Sequence, residues 1–234
     1  MALRLDAVSF DVADPAPAAA FWAGLLDREV VTEPGGALVP GTDTQVGLRF
    51  VASGAEADGP ALLHLHLTSA TPEDQQAIVE EALRRGGSHL DVGQSPEEPF
   101  VVLADPGGNA LCVIEAGNRY LAGTGPLGEV TCDGTPAVGR FWSAALAWPL
   151  VLDQDGQTAV QSPGGGTKIS WDAWEDPSAP PPATHDRQRF DLVAADPAAE
   201  AERLVELGAR RAAEADGRLD LADPDGHPFT LRAG

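Results

Sequence analysis

The chain has 234 residues, 43% of them hydrophobic, which is long enough for one large domain or two smaller ones with cores of their own. Its 15 basic and 36 acidic residues leave a formal charge of -21 and a pI near 4.3, a balance that argues against binding the phosphate backbone of nucleic acid. No apolar run is long enough to span a bilayer and no charged-then-apolar leader opens the sequence, so a soluble cytoplasmic protein is expected, with no membrane partner and with Cys112 and Cys132 as reduced thiols.

Leu3 to Val12 reads as a strand whose alternation passes through Leu3, Leu5 and Ala7, then Val8, Phe10 and Val12, with one break in phase. Asp14-Pro15 supplies a cap oxygen and a proline at the first helical position, and Ala18, Phe21, Trp22 and Leu25 follow at helical spacing. Short strands are predicted at 29–32, 37–40 and 45–51, which makes the unit βαβββ. A polar loop leads to Ala61–Thr68, whose Leu-His-Leu-His alternation puts His64 and His66 on one face. Thr71-Pro72-Glu73-Asp74 opens a second helix in capping-box fashion, and Gly86-Gly87 stops it. Strands at 88–92, 100–104 and 109–115 complete a second βαβββ unit.

Ala116 to Leu127, rich in glycine, reads as a linker, after which the order begins again. Thr135-Pro136 caps a helix in which Phe141-Trp142 repeats Phe21-Trp22, and Asp196-Pro197 opens the last helix. Leu103-Ala104-Asp105-Pro106-Gly107-Gly108-Asn109 returns as Leu221-Ala222-Asp223-Pro224-Asp225-Gly226-His227. Each copy specifies a hairpin, because proline presets φ at the second turn position and glycine accepts the positive φ that follows. The chain is therefore a tandem duplication, divided at 1–118 and 119–234. Gly164-Gly165-Gly166-Thr167-Lys168 lacks the spacing of a phosphate loop and leads into a strand, so it is not read as one.

This succession, strand, Asp-Pro, helix with Phe-Trp, His-x-His strand, helix, Gly-Gly and Leu-Ala-Asp-Pro-x-Gly-Asn, resembles the vicinal oxygen chelate superfamily of glyoxalase I, bleomycin-resistance proteins and extradiol dioxygenases. The resemblance covers 1–116 and 128–232. It implies an α+β fold of two glyoxalase-like domains, each of two βαβββ units, with mixed, mainly antiparallel sheets forming partial barrels around a ligand cleft. A duplicated chain reproduces within itself what single-domain relatives achieve by dimerising, so a monomer is expected, with a homodimer as the alternative.

The resemblance also says where metal ligands belong: a His in the first strand, a His in the strand after the mid-domain loop, and a Glu in the last strand. Those positions fall on Ala7, His64 and Cys112 in the first half, and on Leu127 or Gly128, Arg189 and Thr230 in the second. Alanine and leucine cannot coordinate, and a fixed guanidinium opposes a cation. No conventional metal centre or other cofactor is therefore expected, and His64, His66 and Cys112 are the residual metal candidates. The ligand-binding residues expected are His64, His66, Arg49, Trp171, Trp174, Arg189 and Cys112, an aromatic slot with polar anchors. Function is read as binding a small, partly aromatic or apolar molecule in a cleft without a conventional metal centre. The alternatives are a metal-dependent lyase, isomerase or dioxygenase-like enzyme around His64 and Cys112, and a structural or partner-binding protein.

Overall fold

A computed structural model of the chain describes residues 3–53, 63–173, 187–215 and 217–234. The first unit comprises β1 (Arg4–Val12), α1 (Pro15–Leu26), β2 (Val31–Glu33), β3 (Gly36–Val39) and β4 (Gly47–Ala52). The second comprises β5 (Leu63–Leu67), α2 (Pro72–Arg84), β6 (Ser88–His89), β7 (Val101–Ala104) and β8 (Ala110–Val113). The third is β9 (Leu127–Asp133), α3 (Pro136–Leu146), β10 (Leu150–Gln154), β11 (Gln157–Gln161) and β12 (Lys168–Asp172). The fourth is β13 (Gln188–Ala194), α4 (Pro197–Leu207), β14 (Arg210–Ala215), β15 (Arg218–Ala222) and β16 (Pro228–Ala233).

The four expected βαβββ units are thus present, and they assemble into two eight-stranded sheets across the duplication. The sheet β14-β15-β16-β13-β1-β4-β3-β2 joins the fourth unit to the first, and β10-β11-β12-β9-β5-β8-β7-β6 joins the third to the second. The seams are antiparallel pairings of β1 with β13 and of β5 with β9. The sequence repeat boundary at 118/119 therefore runs between units, and neither sheet stays within one half. The break in phase along the first strand is a bulge between Leu5 and Ala7, which lets both halves of that strand keep their apolar side chains inward.

Local signals explain the helix ends. Asp14, Thr71 and Asp196 accept from backbone N–H groups at 3.1 Å each, so three of the four predicted caps act through their side chains. Asp74 reaches back in turn but accepts from Ala70 N, one residue ahead of the cap, at 2.7 Å. Thr135 differs: its side chain makes no cap, and its N–H and hydroxyl both donate to Asp225, at 2.7 and 3.0 Å.

One core runs between the sheets. Trp142 on α3 stacks on Trp171 of one sheet, centroids 6.5 Å apart, and meets Phe190 and Phe229 of the other edge-on at 5.1 Å each. Gln188 and Leu63 exchange two 3.0 Å bonds between the sheets. The glycine run at 164–166 serves this junction: a Cβ on Gly166 would stand 1.6 Å from the Thr44 carbonyl, and its φ is +91°. Only glycine permits that approach, which lets Thr167 N donate to Thr44 O at 2.9 Å. With the larger apolar faces turned to the shared core, the side chains that alternate away from it include Ser9 and Arg49 on one sheet and His64, His66 and Thr131 on the other.

Candidate functional site

The two cups have different contents. In the cup of β13, β1 and β4, Arg49 fills the centre: its Nε lies 2.8 Å from Glu33 and one terminal nitrogen 3.1 Å from Asp6. Its other terminal nitrogen bonds Asp191, which also accepts from Ser9. Burial opposes charge on Arg49, but the bonds to Glu33 and Asp191 outweigh it and raise the guanidinium's pKa above its usual value. Arg189 pairs with Asp11 at 2.9 Å. This cup is occupied by its own ion pairs.

The cup of β8, β5, β9 and β12 holds a cleft of about 610 Å³. Period two on β5 aims His64 and His66 into it, between Leu63, Leu65 and Leu67, which point to the core. On β8, Ala110 and Cys112 face the cleft while Leu111 and Val113 face the core. On β9, Glu129 and Thr131 alternate with Val130 and Cys132 in the same way. Leu90, Val92, Phe100, Val102 and Ile114 make the wall apolar, and Asp172 and Arg187 add polar groups.

His66 is the hub. It is the register partner of Cys112 on one side and of Glu129 on the other. Its Nδ1 lies 2.8 Å from Glu129 Oε2, and Tyr120 donates to Glu129 Oε1 at 2.7 Å. Burial alone would lower the imidazole's pKa, but hydrogen bonds to Cys112 and Glu129 and the carboxylate charge push it up to about 9. His64, with ring centroid 4.8 Å from that of His66, is pushed down to about 4 by burial and by its charged neighbour. Glu129 stays below the usual carboxylate range: burial raises it, and the bonds from His66 and Tyr120 lower it further. Lys168 donates to the Tyr120 carbonyl and sits 3.8 Å over its ring, backing the phenol from behind.

Of the residues expected to bind a ligand, His64, His66 and Cys112 come together here. Arg49 and Arg189 stand on the other sheet, because the first and fourth units pair with each other and not with the units that carry the histidines. Trp171 is wholly buried on the core face, since Ser170 and Asp172 take the cup side of β12. It stacks on Trp142 and is packing, not a cleft wall. Trp174 lies outside the described residues. Glu129, Thr131 and Tyr120 are the residues the sequence reading misses. Alternation of Glu129 and Thr131 with Val130 and Cys132 is a signal for the first two. A register shift between His66 and Leu67 interrupts it, setting Leu67 opposite Leu127 while His66 stays opposite Glu129.

The metal centre that the resemblance implies calls for oxygen and imidazole ligands. His64, His66 and Cys112 offer ligand atoms within 4.8 Å of one another, a thiol and two imidazoles, softer than that set. The carboxylate at hand, Glu129, is engaged with His66 and Tyr120. The residues present do not fit that conventional centre.

A second cavity, of about 590 Å³, is lined by the Pro40–Val46 loop, Trp148 and Thr167. Asp6 on its wall is already paired with Arg4, Arg49 and Arg232. Among the described residues no helix is long and apolar enough to cross a membrane.

Residues 7–114 and 129–232 each match the family model of the glyoxalase-like domain. Among solved structures, glyoxalase I from Zea mays superposes with a TM-score of 0.67 at 13% identity, over 99% of this chain and 92% of that one. A Bacillus subtilis protein named among the dioxygenases superposes at 0.62 and 14% identity, over 98% and 84%. Such identities speak for the fold alone. No curated protein sequence matches.

Proposed function

The chain belongs to the glyoxalase-like domain family, within the vicinal oxygen chelate superfamily, and we propose that it binds a small, largely apolar molecule in the β5–β9 cup without a conventional metal centre. The observation that carries this reading is how the polar groups of that cup are used. His66, Glu129 and Tyr120 satisfy one another at 2.7 to 2.8 Å, and the wall above them is Leu90, Val92, Phe100, Val102 and Ile114. That is an apolar slot with a few fixed polar anchors, the usual make-up of a small-molecule site.

The test is a thermal-shift screen of apolar and aromatic carbonyl compounds against the full chain. A binder gains stability with saturating ligand, by about 2.7 kcal/mol at a hundredfold excess over Kd. A Val102→Asp variant that still shifts as the wild type does with the same compound moves the site elsewhere.

A second reading has its own observation, the 4.8 Å cluster of His64, His66 and Cys112, a donor set suited to zinc. It makes the protein a metal-dependent lyase, isomerase or dioxygenase-like enzyme. Metal analysis after purification without chelator separates the two: stoichiometric zinc, lost in His64→Ala, establishes the second and removes the first.

A further inference from the structure

We propose that Cys112 is a nucleophile whose sulfur adds to the β carbon of an α,β-unsaturated carbonyl compound held in the cup, with His66 holding the thiol's proton as an imidazolium paired with the sulfur and Glu129 orienting the ring. The inference rests on the small-molecule reading of this cleft. Three neighbouring strands put the groups in one row, Cys112 on β8, His66 on β5 and Glu129 on β9, with His66 the register partner of both others. The sulfur lies within 4.8 Å of the ligand nitrogens of both histidines, and Nδ1 of His66 is held by Glu129 at 2.8 Å. Nucleophile, base and orienting carboxylate in sequence is the arrangement that activates a thiol. Cys112 also forms part of the cleft wall, so a bound molecule meets its sulfur.

Cys132 supplies the contrast. It sits in the core on the opposite face of β9, and burial together with nearby Asp223 and Asp133 raises its pKa well above the ordinary thiol value. Conjugate addition also suits what surrounds Cys112. With the thiol's proton already on His66, a carbon–sulfur bond forms at the β carbon as the carbon–carbon π pair moves into the enolate, and the α carbon then takes that proton from His66. Nothing leaves and nothing is oxidised, so neither a leaving-group site nor a redox partner is needed. His64 stands beside the pair as a ring N–H donor for the enolate oxygen, and Val102 and Ile114 receive an apolar body.

The experiment treats the full-length protein with methyl vinyl ketone and follows it by intact mass and peptide mapping, with glutathione as the reference thiol. We expect one adduct, on Cys112, forming roughly tenfold faster than on glutathione at neutral pH. The rate stays flat between about pH 6 and 8, where glutathione's rises. His66→Gln brings the rate down to the reference, Glu129→Gln restores a free-thiol pH profile, and Cys132→Ser changes nothing. Labelling of Cys112 no faster than glutathione, a free-thiol pH profile in the wild type, or equal labelling of Cys132 overturns the proposal without any variant having to fold. Zinc bound at stoichiometry that blocks labelling overturns it as well. A thermal shift with the saturated 4-phenylbutan-2-one reads binding separately: a shift without fast addition ends the nucleophile and leaves the binder, whereas fast addition without a shift does the reverse.

Discussion

Trp22 Nε1 donates to Asp105 Oδ2 at 2.8 Å, and Trp142 Nε1 donates to Asp223 Oδ2 at 3.1 Å. In each case a helix attached to one sheet is pinned to a hairpin of the other. Asp105 spends its remaining oxygen on the turn, accepting from Gly107 N at 2.8 Å and Asn109 N at 2.9 Å. The two motifs that mark the duplication are therefore partners in space. Trp22→Phe keeps the packing and removes the indole bond to a buried carboxylate oxygen, which retains the bond from Asn109 Nδ2 at 3.1 Å. A loss of about 1.5 to 3 kcal/mol, the range for a bond to a charged group, is expected in urea unfolding. Trp22→Phe combined with Asp105→Asn should cost less than the two single changes added together.

Helices α1 and α3 both end in a left-handed residue that is not glycine, Asp27 at φ 51° and Ala147 at φ 54°. Alanine has no side-chain bond to offset that conformation. Ala147→Gly should raise stability by about 0.5 to 1 kcal/mol, read as a higher Tm, because the strain removed exceeds the added freedom of the unfolded chain.

Arg49 holds Asp6, Glu33 and Asp191 together in a cup with little solvent. Arg49→Met leaves Glu33 and the buried Asp191 without their close cation while Asp6 keeps Arg4 and Arg232, and a loss of about 3 kcal/mol is expected. If the variant folds, compounds that bind the other cup should retain their affinity, measured by calorimetry, since that site shares none of these groups.

The two histidines set opposing pH dependences. His66 is raised to about 9, so its contribution is complete below the ordinary imidazole value of 6.5 and is lost as pH rises toward 9. His64 is lowered to about 4, so its contribution is present above 6.5 and is lost as pH falls toward 4. Tm should peak near pH 6.5 and decline on both sides. His66→Gln should flatten the alkaline side and, by removing the charge that helps to lower His64, soften the acid side as well, measured by differential scanning fluorimetry across the range.

The reading of the sequence went furthest where the signal is local. Asp14-Pro15 and Asp196-Pro197 start helices because cap and proline act within one turn, and the Asp-Pro-x-Gly segments make hairpins because φ preferences act on single residues. His64, His66 and Cys112 were legible as a group, since strand period two settles which face each takes. Arg49 and Trp171 were misplaced for complementary reasons. Arg49 faces a cup, but in the sheet its unit shares with the fourth. Trp171 needed the register of β12, which turns Ser170 and Asp172 outward and the indole to the core.

Taken alone, then, the residues of this chain determined four βαβββ units, their duplication and the family. Alternation specifies faces and turn chemistry specifies corners, and both are short-range properties. Which unit shares a sheet with which was decided by the tertiary structure, because any apolar-faced strand can pair with several others and only the whole packing selects among them. That choice brings Glu129 and the linker's Tyr120 to His66 and closes the other cup with Arg49 and Asp191. The chemistry of the open cup follows from that pairing.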